Sequence, residues 1–465
     1  MAVHSFFLGC LAHASYLVTD ERSKTAAVID PQRDVDEYFA KAKELGVEIK
    51  HVLLTHFHAD FISGHLEIRA RSGATIHLGT AAGPAEYDHN GIKDGDTIEF
   101  GDVRIVAMET PGHTPEGISY VLHDLAADAA KPQAVFTGDT LFVGDVGRPD
   151  LLASFGMTAD ELATMLYHSL HDKLLQLPDD TVVYPAHGAG SLCGKSLGTE
   201  RSTTIGLQKA NNCSVKPMPV ADFIARVTAD QPRAPKYFGH DAVLNRKNRG
   251  VLEVAVQKGT QPLSAEQFLE HRAKGAQVID TRESDDFARG SVKDALHVPL
   301  SGSFATWSGA MLDLERPVLV LAEAGKEEEA VVRLGRIGID SVIGYLDGGM
   351  PTLADHEDSV QSSGTINVDE LAERLDRGED LFVLDVRSPT EFENGHIDGA
   401  HHLSLIELPE RIAEVPANRE VYVICRTGAR SSTAISMLMA AGLQQLSNVR
   451  GGMSRFAEHT SPTTS

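Results

Sequence analysis

Six side chains of metal-ligating type stand at the ends of apolar runs in the first half of the chain. Directly after Leu53-Leu54-Thr55 comes His56-Phe57-His58-Ala59-Asp60-Phe61. Residues two apart in extended backbone point to the same side, so His56, His58 and Asp60 can converge. Three further signals follow in order: Thr110-Pro111-Gly112-His113-Thr114, Thr137-Gly138-Asp139-Thr140 and Tyr184-Pro185-Ala186-His187-Gly188. Each lies just past an apolar strand, where an open α/β sheet places its ligands. Isolated histidines such as His4, His77, His89 and His171 carry no comparable signal. A second chemistry stands near the other end, where the apolar run Val421-Tyr422-Val423-Ile424 leads into Cys425-Arg426-Thr427-Gly428-Ala429-Arg430 and a helical stretch from Ser431 to Met439. Loop amides and a helix N-terminus would surround the sulfur with positive dipole, and two arginines add full charges. Such surroundings favour the thiolate, the nucleophilic form of cysteine.

These groups need a frame, and the chain is long enough for about three domains of roughly 150 residues. It has 465 residues, 42% hydrophobic and 23% charged, a composition of soluble globular type. Asp+Glu outnumber Lys+Arg by 66 to 42, a formal charge of −24, which argues against nucleic acid and anionic lipid as partners. An anionic substrate would have to be gathered by local arginines or a metal. Four scattered cysteines without a Cys-x-x-Cys pair read as free thiols in a cytoplasmic protein. No apolar run of membrane-spanning length occurs. Phe6-Phe7-Leu8-Gly9-Cys10-Leu11 before Ala12-His13-Ala14 resembles a signal segment, but no Lys or Arg precedes Arg22, so a buried strand is expected there.

Residues 1–235 read as a mixed α/β domain, with one helix carrying Val35, Phe39, Ala42 and Leu45 on a face and another from about Ala159 to Gln176. Residues 236–262 lack sustained periodicity and read as a connector. Beyond them the chain repeats itself. Gln277-Val278-Ile279-Asp280-Thr281-Arg282 matches Phe382-Val383-Leu384-Asp385-Val386-Arg387, Val318-Leu319-Val320-Leu321 matches Val421–Ile424, and Asp347-Gly348-Gly349-Met350 matches Arg450-Gly451-Gly452-Met453. The copies span 263–356 and 365–460, divided by the Ser-rich Asp358–Gly364. Each alternates short buried strands with helices, the pattern of a wrapped parallel sheet. The tail Thr460–Ser465 is expected to be mobile.

The histidine/aspartate signals resemble the metallo-β-lactamase superfamily, which implies a four-layer αββα fold for the first domain. Within it, Pro111-Gly112-His113-Thr114-Pro115-Glu116-Gly117, Phe136-Thr137-Gly138-Asp139-Thr140-Leu141-Phe142 and Gly147-Arg148-Pro149-Asp150-Leu151 resemble the persulfide dioxygenases. By that resemblance His56, His113 and Asp139 are the metal ligands, while His58, Asp60 and His187 orient ligands and bound water. Hydrolases of the superfamily usually have His where this chain has Phe61, as a ligand of a second metal. Phe61 cannot ligate, which favours a mononuclear centre. Two histidines and a carboxylate form the facial set associated with Fe(II) and O₂, although the ordinary affinity order favours zinc. One Fe(II) is therefore expected, with zinc the alternative.

The repeat resembles the rhodanese sulfurtransferases, and the six residues Cys425–Arg430 match their sulfur-binding loop, with Cys425 as nucleophile and Arg426, Thr427, Gly428, Ala429 and Arg430 cradling sulfane sulfur or sulfite. In the middle copy the loop reads Ala322-Glu323-Ala324-Gly325-Lys326-Glu327, without nucleophile and with carboxylates at the arginine positions, so a structural role is expected. The whole architecture, an α/β multidomain chain with an αββα domain followed by two rhodanese-like α/β domains, resembles the persulfide dioxygenase–rhodanese fusions. The resemblance implies oxidation of a low-molecular-weight thiol persulfide (glutathione, coenzyme A or similar) by O₂ to sulfite, then transfer of sulfane sulfur to sulfite at Cys425 to give thiosulfate. Gly188–Lys195 is similar to a multidomain subgroup and leaves the thiol open. Arg148 is a candidate for the thiol's carboxylate or phosphate, with a structural salt bridge as the alternative. Cys193 is a candidate for taking up sulfur near the metal, with a buried structural thiol as the alternative. A homo-oligomer is expected. The competing readings are a zinc-dependent thioester hydrolase of glyoxalase II type fused to an independent sulfurtransferase, and a sulfur-carrier scaffold without turnover at the first site.

Overall fold

The computed structural model describes residues 1–151, 156–195, 197–229, 231 and 233–460; of the expected mobile tail, 461–465 lie outside the described residues. By contact these form two units. The first holds Met1–Leu252 and Gly335–Gly338, the second Glu253–Leu334 and the described residues from Ile339 on.

In the first unit two six-stranded sheets face each other. One runs in the order β1 (Ala2–Leu8), β2 (His13–Asp20), β3 (Thr25–Ile29), β4 (Glu48–Leu53), β5 (Thr75–Gly79), β6 (Asn90–Ile92). The other contains β7 (Thr97–Phe100), β8 (Val103–Glu109), β9 (Ile118–Asp124), β10 (Pro132–Gly138), β11 (Val182–Pro185) and β12 (Thr203–Thr204), in reverse order. Tyr16, Ile29, Leu53, Ile105, Tyr120 and Phe136 fill the space between the sheets. Helices Asp36–Leu45 and His65–Ser72 cover the first sheet, and Ala159–His168 and Val220–Thr228 the second. Both faces of each sheet are thus covered, which explains why all eight residues of β2 are buried. β1 departs from the expected buried strand: it pairs only with β2, stands at the sheet edge and is half-buried.

The helix expected around Val35–Leu45 runs from Asp36 to Leu45, with two acids in its first turn and Gly46 closing it at φ 64°. The stretch from Ala159 begins with a capping box between Thr158 and Glu161, then widens through Ser169–Lys173 and tightens through Leu174–Gln176 instead of continuing as one regular helix. Part of the stretch read as a connector is helical, over Tyr237–Leu244 and Leu252–Gly259, and residues through Leu252 belong to the first unit. Short helices of this length show too few turns for apolar periodicity to stand out.

The second unit contains two five-stranded parallel sheets of the same topology. One is ordered Pro262–Leu263, Val342–Leu346, Val318–Leu321, Gln277–Asp280, Leu296–His297; the other Gly364–Asn367, Leu446–Arg450, Val421–Ile424, Phe382–Asp385, His401–His402. The duplication legible in the sequence is therefore a duplication of the fold. Among the described residues no helix is long and apolar enough to cross a membrane.

Candidate metal centre and cysteine loop

The C-terminal ends of β4, β8 and β10 deliver the first group. His56, His113 and Asp139 are all buried, and one potential ligand atom from each lies within 4.8 Å of the others. Their orientation is set from behind. Thr55 Oγ1 donates to Asp30 Oδ2 at 2.8 Å, so at 2.9 Å it accepts from His56 Nδ1–H. His113 Nδ1–H donates to the Arg148 carbonyl at 2.9 Å. Both imidazoles therefore turn an Nε2 lone pair inward. Burial holds His56 and His113 below the usual histidine range, in their neutral form. His113 Nε2 faces Asp139 Oδ2 at 3.4 Å, and that buried oxygen has no hydrogen-bond partner. Two lone pairs aimed together in a buried site need a cation between them, and the donor set fits a divalent metal.

Glycine is required at two places in this frame. Gly112 has φ 143°, and a Cβ there would stand 2.4 Å from the backbone of Leu166, so the His113 loop can lie directly on the helix. A Cβ on Gly147 would meet the Asp139 carbonyl at 1.9 Å.

The other expected site residues separate. His58 turns toward Asp30, 3.1 Å from Nε2 to Oδ1. His187 lies between two carboxylates, Nδ1 to Asp139 Oδ1 and Nε2 to Asp60 Oδ2, each at 2.8 Å. Burial opposes its charge, but Asp139 and Asp60 hold its proton on, well above the usual histidine range. Against the cost of burial, His187 holds both carboxyls below theirs. Asp60 and His187 form a second group with Cys193, again buried and with ligand atoms within 4.8 Å of one another. Phe61 packs its ring on His13 and His58, centroids 4.0 and 4.4 Å away, so the residue after Asp60 offers hydrocarbon and no ligand atom.

Arg148 is spent within the protein. Its guanidinium pairs with Asp150 at 2.7 and 2.6 Å and donates to the Leu192 carbonyl at 3.2 Å, and its N–H donates to the Cys193 carbonyl at 3.1 Å. The geometry favours the structural alternative stated for it. Sequence reasoning missed Asp30, Thr55, His13 and Asn245. His13 is buried against His58 and His187, and burial together with those neighbours pushes it down to about 3. Asn245 donates from Nδ2 to the carbonyls of His58 and Phe61, both at 2.8 Å, and accepts from Ser63 N–H, pinning the histidine loop. Asp30 had a visible signal, a carboxylate directly after the apolar run Ala26–Ile29; Asn245 had none.

In the second unit Cys425 follows the buried strand Val421–Ile424 and is itself buried. Gly428 N–H donates to its sulfur at 3.1 Å, and Ser431 Oγ lies 3.4 Å away, itself hydrogen-bonded to Asn448 Oδ1 at 2.6 Å. Gly428 has φ 120°, which opens the loop into helix Ala429–Ala440. Arg426 and Thr427 are exposed at the rim. Arg430 is bound through both terminal nitrogens to Glu391, at 2.6 and 2.7 Å. Glu391 was not foreseen, although Ser388-Pro389-Thr390-Glu391 is a capping box in sequence as well as in structure.

Residues 8–187 match the metallo-β-lactamase superfamily, and residues 264–355 and 367–459 each match the rhodanese-like domain. The mitochondrial persulfide dioxygenase ETHE1 of Bos taurus is 33% identical over 189 residues, 40% of this chain and 68% of that protein. The cytoplasmic hydroxyacylglutathione hydrolase of Arabidopsis thaliana is 35% identical over 184 residues, 39% of this chain and 66% of that one. A solved metallo-β-lactamase from Staphylococcus aureus subsp. aureus COL is 29% identical, with a TM-score of 0.66 over 74% of this chain and 98% of its own. Fold and site thus define a member of the metallo-β-lactamase superfamily carrying two rhodanese-like domains; within that superfamily, the chain belongs to the persulfide dioxygenase family.

Proposed function

We propose that the chain oxidises a low-molecular-weight thiol persulfide with O₂ and water to sulfite and free thiol in its first unit, and passes sulfane sulfur from persulfide to sulfite at Cys425, yielding thiosulfate. The observation that carries the first half is the donor set: two neutral imidazoles and one carboxylate converge at His56, His113 and Asp139, while Phe61 stands where a hydrolase would hold its second metal. When bound, one Fe(II) supplies the O₂ chemistry. Thr55 and the Arg148 carbonyl keep the two imidazoles in the ligating tautomer, and His187 steadies Asp139 through Nδ1–H.

At the other site the Cys425 thiolate attacks the outer sulfur of a persulfide, the S–S bond breaks, and the thiol leaves with the proton. The Gly428 amide supports the charge on sulfur. Sulfite then takes the outer sulfur and returns the thiolate. Arg426, exposed at the rim, meets the anion, while Arg430 is held off by Glu391. The second reading, a zinc thioester hydrolase, draws on the likeness to the hydroxyacylglutathione hydrolase. Anaerobically purified protein should contain about one iron per chain and take up O₂ only when persulfide is supplied. Two bound zincs with thioesterase activity and no oxygen uptake would overturn the dioxygenase reading.

A further inference from the structure

The first unit is not one continuous stretch of chain: it takes in four residues from far along the sequence, Gly335–Gly338. Arg33 Nη1 donates to the Gly335 carbonyl at 2.6 Å, and Ile62 N–H donates to the Arg336 carbonyl at 2.7 Å. The Arg336 guanidinium pairs with Asp34 through Nε, at 2.9 Å, and through Nη2, while its Nη1 donates to Cys10 Sγ at 3.5 Å. Gly338 has φ 72°, and a Cβ there would stand 2.7 Å from Leu244 Cδ1 and 2.9 Å from Asp241 Oδ1. The four residues therefore lie directly on helix Tyr237–Leu244.

Each partner of Arg336 leads to the metal-ligating group. Ile62 closes the loop that starts at His56. Phe61 beside it packs on His58, and Asn245, next after the helix under Gly338, holds that loop by the carbonyls of His58 and Phe61. Asp34 lies four residues after Asp30, which accepts from Thr55 Oγ1 and through it orients His56. Cys10 stands in the turn between β1 and β2. There the Ala12 carbonyl accepts from Gly188 N–H, beside the His187 that braces Asp139. Three separate stretches that set His56 and Asp139 thus meet at one arginine, itself 15% exposed.

A partly exposed ion pair adds little stability, but a planar guanidinium held by two parallel N–H bonds fixes direction. We propose that Arg336 is a positioning residue for the group formed by His56, His113 and Asp139. Through Asp34, Ile62 and Cys10 it keeps in register the stretches that carry or brace those ligands. Arg336 lies within the sequence of the copy that lacks a thiol, so that copy serves the reaction of the first unit without chemistry of its own.

Full-length Arg336→Gln and Asp34→Asn are compared with the parent, first by titrating cobalt(II) into metal-free protein and following its visible absorption. The part of the signal lost in His113→Ala is the part read. Affinity for cobalt should fall by about tenfold, the usual cost of disturbing a ligand's support. In iron-loaded protein, persulfide-dependent oxygen uptake should show kcat lowered by about ten- to a hundredfold with KM near the parent's, since a small misplacement costs rate. The double variant should be no worse than either single one, because the two residues act as a pair. Arg336→Lys, which keeps the charge but not the fork, should fall between the parent and Arg336→Gln. Thermal unfolding and thiosulfate formation from supplied sulfite and persulfide should match the parent. Parental cobalt affinity and kcat in Arg336→Gln overturn the proposal. So does a lowered melting temperature with both of those unchanged, which marks a purely structural pair. If Arg336→Gln fails to fold, Asp34→Asn and Arg336→Lys carry the same comparison. The kinetic arm rests on the dioxygenase reading and the cobalt arm does not: a parent without oxygen uptake sinks that reading, and cobalt affinity then decides on Arg336.

Discussion

The middle and C-terminal rhodanese-like copies build the same scaffold. In the middle copy Arg282 pairs with buried Asp280 at 2.6 Å and donates to the Gly290 carbonyl at 2.7 Å, while His297 Nε2–H donates to the Arg282 carbonyl at 2.9 Å. In the C-terminal copy Arg387, Asp385, Gly395 and His402 repeat these bonds at 2.6, 2.7 and 2.9 Å. The copies part at the loop after the central strand and at the residues that face it. There Cys425, Arg430 and Ser431 stand opposite Ala322, Glu327 and Glu328, and Asn448 in the neighbouring strand stands opposite Tyr345. Glu391, which holds Arg430, corresponds to Asp286, paired instead with Arg289. A buried aspartate–arginine–carbonyl network is needed to satisfy strand ends in any copy of this sheet, whereas the thiol loop satisfies nothing the fold requires. Chemistry can therefore be lost from the loop while the scaffold stays whole.

The copy without the thiol contributes to the one that has it. Phe287 is buried in the same apolar cluster as Leu384, Leu403, Cys425 and Ala434, with Trp307 and Met311 packed against it. The His297 N–H donates to Ser436 Oγ at 3.0 Å, on the helix that begins at the cysteine loop.

The sharpest contrast between the copies is the nucleophile. Cys425→Ser should drop thiosulfate formation to the protein-free background while persulfide-dependent oxygen uptake continues and sulfite accumulates. Adding Ala322→Cys to that variant should restore nothing, because Glu323 and Glu327 repel sulfite and persulfide. Early quantification of both products checks this, and recovery of transfer by Ala322→Cys would mean the loops are closer than their charges indicate.

A smaller effect tests the support lent by the middle copy. Phe287→Ala should destabilise the C-terminal copy by about 3–5 kcal/mol, the usual cost of emptying a buried phenylalanine site. Thermal inactivation of sulfurtransferase activity measures it; an unchanged profile would separate the two cores.

The smallest effect concerns Glu391. Burial disfavours its charge, yet Arg430 and the Ser388 N–H and hydroxyl hold its carboxyl down to about 2, from an ordinary 4.5. A carboxyl depressed by folding adds stability that is fully present above its unfolded value and is lost as pH falls toward its folded one. Glu391→Gln should therefore be less stable than the parent above about pH 5, and the gap should close between pH 4.5 and 2. Since Glu391 is a third exposed, the difference is modest and shrinks with salt. Denaturation midpoints across pH would show it, and a gap constant with pH would refute the assignment.

Much of this protein is legible in one dimension. Apolar runs ending in His56, His113, Asp139 and His187, a duplicated strand–loop–helix pattern and the Cys425 loop beside its Ala322 counterpart are local facts, and local sequence carries them because strand ends and loop residues are set by near neighbours. Which of the polar residues meet is not local. Six side chains of ligating type lie from residue 56 to residue 187, and the parallel register of β10 with β11 and the stacking of the two sheets bring His56 and His113 to Asp139, set Asp60 and His187 beside Cys193, and leave His58 to Asp30. Arg148 looks like a free cation in sequence and is consumed by Asp150 and a loop carbonyl; Arg430 looks like a ligand for sulfite and is tied to Glu391. Asn245 reaches back across nearly two hundred residues to pin the histidine loop. Residue type determines what a group is able to bind. Its hydrogen-bonding capacity is finite, however, and tertiary packing decides whether a substrate, a metal or the protein itself takes it up.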